Sequence, residues 1–220
     1  MFDYHRAVLQ LDLLAGAELA VDTTAPNLRH HLDASSWVDT ASGWLRGADS
    51  LYSELVDRLP WRQYQRPMWG RLVDEPRLTC GLPLDDGSLP AVLGEMSAEL
   101  SAHYERTLDH GWANWYRDGD DAVAWHSDRI ARDVAQPIVG IVSLGGPRRF
   151  MLRPKGGGSS RRFVVHTGDL LVMGGDTQHR WEHCVPRERH GAPRISLMYR
   201  PAADEGATTP FVVPGRQPLG

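Results

Sequence analysis

Two histidines and one aspartate in the second half of the chain have the residue types of a metal site. His126 and Asp128 form a His-x-Asp pair, and His183 lies in the later segment "RWEHCVP". A mononuclear Fe(II) site that also binds a cosubstrate and O2 must keep several positions open, and two imidazoles with one carboxylate allow this. Because residues i and i+2 of a strand point to the same side, we expect His126 and Asp128 to face a β interior, with His183 on a neighbouring strand.

A second His-x-Asp pair shows that the spacing alone is not specific. The chain has 10 histidines, so about one such pair is expected by chance. His31 and Asp33 form that pair, but they precede a segment with helical spacing and have no strand signal beside them. We interpret this pair as structural. His179 is expected in a loop rather than at the metal, and Trp181 is expected to pack in the core.

Two arginines near the end of the chain suit a dicarboxylate ligand. Arg194 and Arg200 are six residues apart in "RISLMYRP", which has the composition of a strand. An even spacing on a strand places both guanidinium groups on one face, where each could bind a carboxylate through two hydrogen bonds. Buried arginines without partners are costly, which favours a ligand-binding role. The alternative is an edge strand with both arginines in water.

Composition predicts a single globular domain of 220 residues with 41% hydrophobic content. No apolar run approaches the roughly 18–20 residues of a membrane span, and Asp3 and Asp12 do not suit a secretory signal. Cys80 and Cys184 form no metal-type pair and fit buried thiols in a reducing compartment. We therefore expect a cytoplasmic monomer with no membrane partner.

The net charge of −4 argues against a general nucleic-acid coat, because phosphate binding usually shows as a basic excess. Any polyanion site must be a local patch. Six cations surround the glycine-rich turn "KGGGSS" of a predicted hairpin: Arg148, Arg149, Arg153, Lys155, Arg161 and Arg162. They form either such a patch or an ordinary solvated hairpin.

The first half of the chain is predicted to support and cover the site. Residues 1–33 form an arm without clear periodicity, and residues 34–111 provide helical support and a substrate flap. Apolar residues three or four apart predict a helix over 37–59, unbroken or interrupted near Gly47, with Ser35 and Ser36 as candidate N-caps. A second helix is predicted over 90–108.

Between these two helices, "WRQYQRPMWGRLVDEPRLTCGLPLDDG" is aromatic, basic and rich in turn residues. It suits a surface flap or irregular strands better than a core element.

Short strands dominate from residue 112 onward. The runs "NWYR", "PIVGIVSLG", "RRFMLRP", "RFVVH", "DLLVMGG", "RWEHCVP" and "RISLMYRP" are rich in Val, Ile, Leu and aromatic residues and are separated by turn residues. Many short strands at this spacing predict a sandwich or jelly-roll barrel. We assign the catalytic core to 112–201 and a C-terminal tail to 202–220, within one structural domain. The fold class is mainly β (α+β), with N-terminal helices packed on one sheet.

The motifs together resemble the AlkB family of Fe(II)/2-oxoglutarate dioxygenases, over about residues 60–201. They occur in the family's order: "NWY", "HSD", "SLG" at 143–145, "GDLLVM" at 168–173, "WEH" and "RISLMYR". The resemblance implies a double-stranded β-helix jelly roll. It also implies Fe(II), 2-oxoglutarate and O2 as cofactors and cosubstrates.

The resemblance assigns roles to individual residues. His126, Asp128 and His183 match the family's metal ligands, which form the catalytic centre. Arg194 resembles the arginine that pairs with the distal carboxylate of 2-oxoglutarate, and Arg200 the second arginine near the cosubstrate's other end. Asn114 and Tyr116 resemble the pair that hydrogen-bonds the cosubstrate.

The implied reaction oxidises an N-alkyl group of a damaged DNA or RNA base and releases succinate, CO2 and formaldehyde. The base must leave its stack, which suits a flap of aromatic and cationic residues.

The chain departs from the family pattern where the substrate would bind. Ile130 stands two positions after Asp128, where the best-known members have an acidic residue, and Gly81 and Leu82 stand where an aromatic wall is common. Arg77 keeps the family's "PRLT" motif. Candidate substrate residues are therefore drawn from the flap, the ligand loop and the hairpin: Trp61, Met68, Trp69, Arg77, Ile130, Arg148 and Arg149. Trp61, Met68 and Trp69 could equally anchor the flap to the core.

Three functions remain open from the sequence. The first is an N-alkyl base dealkylase acting on DNA or RNA. The second is a hydroxylase with the same fold and cofactors that acts on a small molecule or a protein side chain. The third is a non-catalytic jelly-roll binding module, which a failure to bind iron would favour.

Overall fold

The computed structural model describes residues 18–68, 70–85, 87–128 and 134–202. Three helices lie in these ranges: α1 (Ala48–Arg58), α2 (Val92–Tyr104) and α3 (Thr177–Arg180). The strands are β1 (Ala20–Val21), β2 (Leu28–His31), β3 (Ser36–Ala41), β4 (Leu45–Arg46), β5 (Gln65–Met68), β6 (Arg71–Asp74), β7 (Leu78–Leu82), β8 (His110–Tyr116), β9 (Val123–His126), β10 (Val139–Gly145), β11 (Arg148–Pro154), β12 (Arg161–Val165), β13 (Leu170–Gly175), β14 (Trp181–Val185) and β15 (Arg194–Arg200).

Two antiparallel sheets form the body of the protein. The larger has seven strands in the order β2-β3-β13-β10-β15-β8-β7, and the smaller has four in the order β12-β11-β14-β9. Apolar side chains from both sheets meet in one cluster, for example Ile141 and Met173 from the larger sheet with Leu152 and Val185 from the smaller. Two sheets with a shared apolar interior are the architecture of a jelly roll. The predicted fold class is confirmed.

The opposite face of the large sheet is covered by α1 and α2. Leu55 of α1 and Met96 of α2 are fully buried in a second apolar cluster with Leu197 and Tyr199 of β15. Both helices place apolar residues three or four positions apart, which gives each one buried stripe. The sheet is therefore covered on this side, and its other face is left to form the site.

The helix predicted over 37–59 is wrong in its first part. Residues 36–41 form β3, which lies between β2 and β13, and the helix begins only at Ala48. Gly47, with φ of 67°, stands at the N-cap, so Ser35 and Ser36 do not cap this helix. Strand β3 has neighbours on both sides and covered faces, so its burial pattern does not alternate and its apolar spacing resembles that of a helix. The second predicted helix is confirmed, within residues 92–104.

The predicted flap contains a two-stranded hairpin, β5–β6, that joins neither large sheet. We call this hairpin, residues 65–74, the flap hairpin. The segment after it forms β7, which pairs with β8 and ends the large sheet. The N-terminal arm also contributes a strand, since β2 pairs with β3 at the other end of that sheet.

The two cysteines and the described helices can be compared with the sequence predictions, whereas the two ends of the chain cannot. Cys80 and Cys184 are both buried and unpaired, as expected. No described helix is both long and apolar enough to cross a membrane. Residues 1–17 and the tail after 202 lie outside the described residues, and the domain boundaries, the monomeric state and the cytoplasmic location stay predictions.

Candidate metal and cosubstrate site

The His-x-Asp pair and His183 come together at one end of the small sheet. His183 lies on β14 directly opposite His126, the last residue of β9. One ligand atom from each of His126, Asp128 and His183 lies within 4.8 Å of the other two, so the three side chains could hold a metal ion. Among the described residues this is the one such group of three or more. The second His-x-Asp pair, His31 and Asp33, is not part of this group. His31 ends β2, which pairs with β3, so the expectation of a helical segment after this pair and no strand beside it is wrong.

A β-bulge turns His126 to the face of the small sheet that bears His183. His183 pairs with His126, but Val185, two residues on, pairs with Val123, three residues back. The extra residue on β9 lets Val123 and His126 face the same side, which an unbroken strand would prevent. The His126 Nδ1 atom is also 2.9 Å from the Ala124 carbonyl oxygen, a contact that directs Nε2 toward Asp128.

Burial keeps the third ligand neutral. His183 is buried, and its ring stacks on Phe150 with the centroids 5.3 Å apart. Burial lowers the pKa of His183 to about 4, against the opposing effect of Asp128. The imidazole is therefore uncharged at neutral pH, which is the form that coordinates a metal.

Asp128 lies beyond the end of β9, so the expectation that a regular strand would aim it is wrong. Its Oδ1 atom is 3.7 Å from His126 Nε2 and 3.8 Å from His183 Nε2. Its Oδ2 atom and its backbone N–H are both bonded to the side chain of Gln178, on α3. Sequence reasoning missed Gln178, because nothing in the pattern "GGDTQHRW" distinguishes an inward glutamine from an exposed one.

Arg194 is a buried cation with unused donors. It is 1% exposed, and its Nε donates to Ser143 Oγ over 2.7 Å, whereas Nη1 and Nη2 have no hydrogen-bond partner. Burial holds its pKa at about 10, below the ordinary value of 12.5, so the guanidinium stays charged at neutral pH. Two orphaned donors on a buried cation suit a bidentate carboxylate.

Arg200 lies six residues on, at the other end of β15 and on the same face, and it is partly exposed. The alternative of an edge strand with both arginines in water is wrong, because β15 lies between β10 and β8 and Arg194 is buried.

Asn114 and Tyr116 lie on β8, opposite Ser196 and Arg194 of β15. The Tyr116 ring is buried beside the Arg194 guanidinium, whose Cζ is 5.7 Å from the ring centroid. Asn114 Oδ1 accepts a hydrogen bond from Arg77 Nε at 3.1 Å. The two predicted cosubstrate residues therefore lie on the same face as Arg194.

The candidate substrate residues fall into different environments. Arg77 is largely buried and forms an ion pair with Glu75 at 2.8 Å. It also donates a hydrogen bond to Asn114, so it holds that side chain in place rather than facing a substrate. Trp61 donates its indole N–H to helix α1 and lies against Trp115, so it anchors the flap. Arg148 is 1% exposed and donates to the carbonyl oxygens of Asp118, Asp121 and Pro186. The expectation that it belongs to a surface patch is therefore wrong, because its side chain lies inside the protein.

Arg149 is partly exposed and ion-paired with Glu188 at 2.9 Å. Trp69, Ile130 and the side chain of Met68 lie outside the described residues.

The remaining sequence interpretations concern residues near His183. Trp181 is buried in the cluster between the sheets, and its indole N–H donates to Asp33, which confirms a packing role. His179 is exposed on α3, with Nε2 3.3 Å from the Val134 carbonyl oxygen. It is outside the metal group, as expected, although it lies in a helical turn rather than a loop.

Similarity to known proteins identifies the class of this chain. The family model of the 2OG-Fe(II) oxygenase superfamily matches residues 86–200, more than half of the 220 residues. The chain therefore belongs to the 2OG-Fe(II) oxygenase superfamily, whose cofactors and cosubstrates are Fe(II), 2-oxoglutarate and O2.

Curated relatives place it more narrowly, and they confirm the resemblance to the AlkB family. The chain is 30% identical over 181 residues to "Alpha-ketoglutarate-dependent dioxygenase alkB homolog 3" of Bos taurus, covering 71% of this chain and 62% of that protein. It is 31% identical over 129 residues to "DNA oxidative demethylase ALKBH2" of Homo sapiens, covering 54% of this chain and 49% of that protein. The chain thus spans less than two thirds of the length of these relatives.

Among solved structures, an oxidoreductase of the 2OG-Fe(II) oxygenase family from Burkholderia pseudomallei matches with a TM-score of 0.47. It is 17% identical, over 69% of this chain and 76% of that one.

The residues present fit these cofactors on physical grounds. Two imidazoles and one carboxylate converge, which is the donor set that suits non-haem Fe(II) with open positions. The buried Arg194 guanidinium, with two unpaired nitrogens on the face of β15 that also bears Ser196 and Met198, fits a cosubstrate carboxylate.

Proposed function

We propose that this protein is an Fe(II)/2-oxoglutarate-dependent dioxygenase that removes N-alkyl groups from damaged nucleic-acid bases. His126, Asp128 and His183 hold the iron, and Arg194 binds the distal carboxylate of 2-oxoglutarate. Two features together give the strongest support. The buried guanidinium of Arg194 has two nitrogens without hydrogen-bond partners, and His126, Asp128 and His183 converge as a metal-binding group. A buried cation without an anion is costly unless a ligand supplies one.

The surrounding residues orient the cosubstrate. Tyr116 lies beside Arg194, and the amide of Asn114, fixed by Arg77, lies on the same face of the sheet. We assign both to hydrogen bonds with 2-oxoglutarate and Arg200 to its other end. When bound, iron and 2-oxoglutarate supply the oxidation, in which O2 converts 2-oxoglutarate to succinate and CO2 and a substrate C–H becomes C–OH. An N–CH2OH group then loses formaldehyde and leaves the base N–H.

The nucleic-acid substrate is supported by the relatives and by the flap hairpin. One matching relative is named a DNA oxidative demethylase. The flap hairpin presents exposed Arg71 and Leu72, the latter 54% exposed, and Trp61 anchors the chain that leads into it. Cationic and apolar groups on a projecting hairpin suit an extruded base and its backbone.

Arg161 is the hairpin cation best placed for a substrate phosphate. Arg148 is internal, and Arg149 and Arg153 are ion-paired with glutamates. Arg161 is exposed, with no acidic partner among the described residues.

Arg161 is connected to the metal group by pairs of directly opposite residues on neighbouring strands of the small sheet. Arg161 lies opposite Leu152, Leu152 opposite His183, and His183 opposite His126. Directly paired side chains share a face, so Arg161 points to the metal side about 10 Å from His183 by strand spacing.

The test is formaldehyde and succinate release by protein loaded with Fe(II) without oxygen and then given 2-oxoglutarate and O2. A methylated single-stranded oligonucleotide is compared with the unmethylated one. We expect formaldehyde only from the methylated strand and none from a folded His126→Ala variant. Succinate from both strands without formaldehyde would overturn base dealkylation and favour a hydroxylase of a small molecule or protein side chain. Neither product, together with no metal binding, would overturn the oxygenase assignment and favour a binding module.

A further inference from the structure

Gln178 is a fully buried polar residue next to the metal group. It lies on α3, between β13 and β14, and is 0% exposed. A buried amide is stable only if its hydrogen bonds are made. Gln178 Oε1 accepts from the backbone N–H of Asp128 at 3.0 Å, and Nε2 donates to Asp128 Oδ2 at 2.8 Å. Nε2 also lies 3.7 Å from the Met173 sulfur, so both amide hydrogens are directed at acceptors.

These contacts make the two carboxylate oxygens of Asp128 unequal. Oδ1 faces the Nε2 atoms of His126 and His183, at 3.7 and 3.8 Å. Oδ2 is occupied by the Gln178 amide. An aspartate can bind a metal through one oxygen or both, and an oxygen already held by a donor is less available to the metal.

Asp128 needs such support because the sheet does not hold it. It lies two residues beyond the end of β9, outside the ladder that fixes His126 and His183. Within the described residues, Gln178 is the one side chain that donates a hydrogen bond to the Asp128 carboxylate.

The glutamine is itself held firmly. The neighbouring Thr177 donates to the Gly174 carbonyl oxygen at 2.6 Å, and Lys155 Nζ donates to the Gln178 carbonyl oxygen at 3.0 Å. Contacts from β13 and from the β11–β12 turn therefore fix α3, and α3 fixes Asp128.

We propose that Gln178 is a positioning residue that presents Asp128 to the metal through Oδ1 alone. The inference rests on the proposed function, since it takes His126, Asp128 and His183 as the iron ligands. Holding Oδ2 away keeps free a coordination position that a second carboxylate oxygen would take. Gln178 thereby preserves room for the cosubstrate as well as metal affinity.

The test uses Mn²⁺, which is stable in air, in place of Fe(II), and measures its binding by calorimetry. Gln178→Met keeps the side-chain length and removes both hydrogen bonds to Asp128. We expect its Mn²⁺ affinity to fall about 10- to 100-fold, the usual cost of losing a partner that orients a metal ligand. The affinity of the Mn²⁺-saturated variant for 2-oxoglutarate falls as well. If the methionine variant does not fold, Gln178→Asn withdraws the amide by one methylene and is expected to show the same losses.

Thr177→Val is the matched control. It removes the hydrogen bonds that the Thr177 hydroxyl makes with the backbone of Gly174 and Trp37, without touching Asp128. We therefore expect a lower melting temperature with unchanged Mn²⁺ and 2-oxoglutarate affinities. Wild-type affinities in a folded Gln178→Met variant would overturn the proposal. So would an equal loss in Thr177→Val, which would show that α3 acts only through stability.

A wild-type protein that binds Mn²⁺ no better than His126→Ala would instead overturn the metal site itself. This outcome separates failure of the proposed function from failure of the role of Gln178.

Discussion

Replacing Arg194 with methionine should weaken cosubstrate binding and stabilise the cofactor-free protein at the same time. Methionine matches the aliphatic stem of arginine but ends short of the guanidinium, so the substitution removes the charge and the donors and keeps the packing of the stem. The two opposite effects follow from one feature, because Arg194 is buried and its Nη1 and Nη2 atoms have no partner in the protein.

The loss of affinity follows from the two orphaned donors. Each is expected to make one hydrogen bond with a carboxylate oxygen, and hydrogen bonds to charged groups contribute about 1.5–3 kcal/mol each. Arg194→Met therefore costs about 3–6 kcal/mol of binding, which corresponds to ~10²- to 10⁴-fold weaker 2-oxoglutarate binding.

The gain in stability follows from the cost of burying the charge. Burial holds the pKa of Arg194 at about 10 rather than 12.5. At about 1.4 kcal/mol per unit, the charged form is disfavoured by about 3 kcal/mol. Losing the bond to Ser143 Oγ returns about 1 kcal/mol. The variant should gain about 2 kcal/mol, which raises the Tm of a chain of this size by about 4–8 °C.

The assay combines thermal unfolding of the cofactor-free protein with calorimetric titration of 2-oxoglutarate into Mn²⁺-loaded protein. Arg148→Met is the matched control, since Arg148 is equally buried but donates to carbonyl oxygens of three residues. That control should lose several kcal/mol of stability, because it leaves buried acceptors without donors. If Arg194→Met lowers the Tm as Arg148→Met does and binds 2-oxoglutarate like the wild type, Arg194 is structural and our reasoning is refuted.

Three further substitutions, at Arg161, Arg77 and Asp33, test the nucleic-acid contact, the support of Asn114 and the acid stability of the protein. Arg161→Ala should weaken binding of a single-stranded oligonucleotide and reduce the slope of log affinity against log salt by about 0.7, measured by fluorescence anisotropy. Arg162→Ala removes the same charge from the opposite face and should have the smaller effect, so equal effects would contradict this placement. Arg77→Ala should weaken 2-oxoglutarate binding about 5-fold by freeing Asn114, while a change in Mn²⁺ affinity alone would argue against that role.

Asp33→Asn tests acid stability: burial raises the pKa of Asp33, but hydrogen bonds outweigh it and lower the value from 3.8 to about 2. A lowered carboxyl pKa contributes stability above about pH 4 that is lost as the pH falls toward 2, here about 1 kcal/mol after solvent screening. Urea unfolding at neutral and acid pH should show this contribution vanish in the variant, and an unchanged pH dependence would contradict it.

The strands after residue 112 were predictable because each is short, rich in branched and aromatic residues, and bounded by turn residues. Strand β3 was not. Its apolar positions Trp37 and Ala41 have helical spacing, and the partner that makes it a strand, β13, begins more than 120 residues later. Nonlocal pairing overrides local pattern in this case. The possible break near Gly47 could be predicted from the sequence, because glycine readily adopts the left-handed conformation that Gly47 has at the start of the helix.

The candidate ligands themselves were predictable from residue type and spacing, but the reason Asp128 reaches the site was not. The i, i+2 rule holds for a regular strand, whereas β9 contains a bulge and ends at His126. Asp128 does lie beside the two histidines, but Gln178 holds it there rather than a regular strand. Correct residue types in the correct order can therefore identify a site whose local geometry the same pattern does not describe.

Four of the seven residues that we propose to touch iron or cosubstrate are held by a second polar group. The pairs are His126 with the Ala124 carbonyl, Asp128 with Gln178, Asn114 with Arg77, and Arg194 with Ser143. Three of the four pairs are separated by 37 to 51 residues, so no local pattern can indicate them. Since such partners set orientation rather than chemistry, their substitution should lower affinity while the ligand set itself stays intact. Part of the fold's contribution to the site therefore lies in residues that touch neither metal nor substrate.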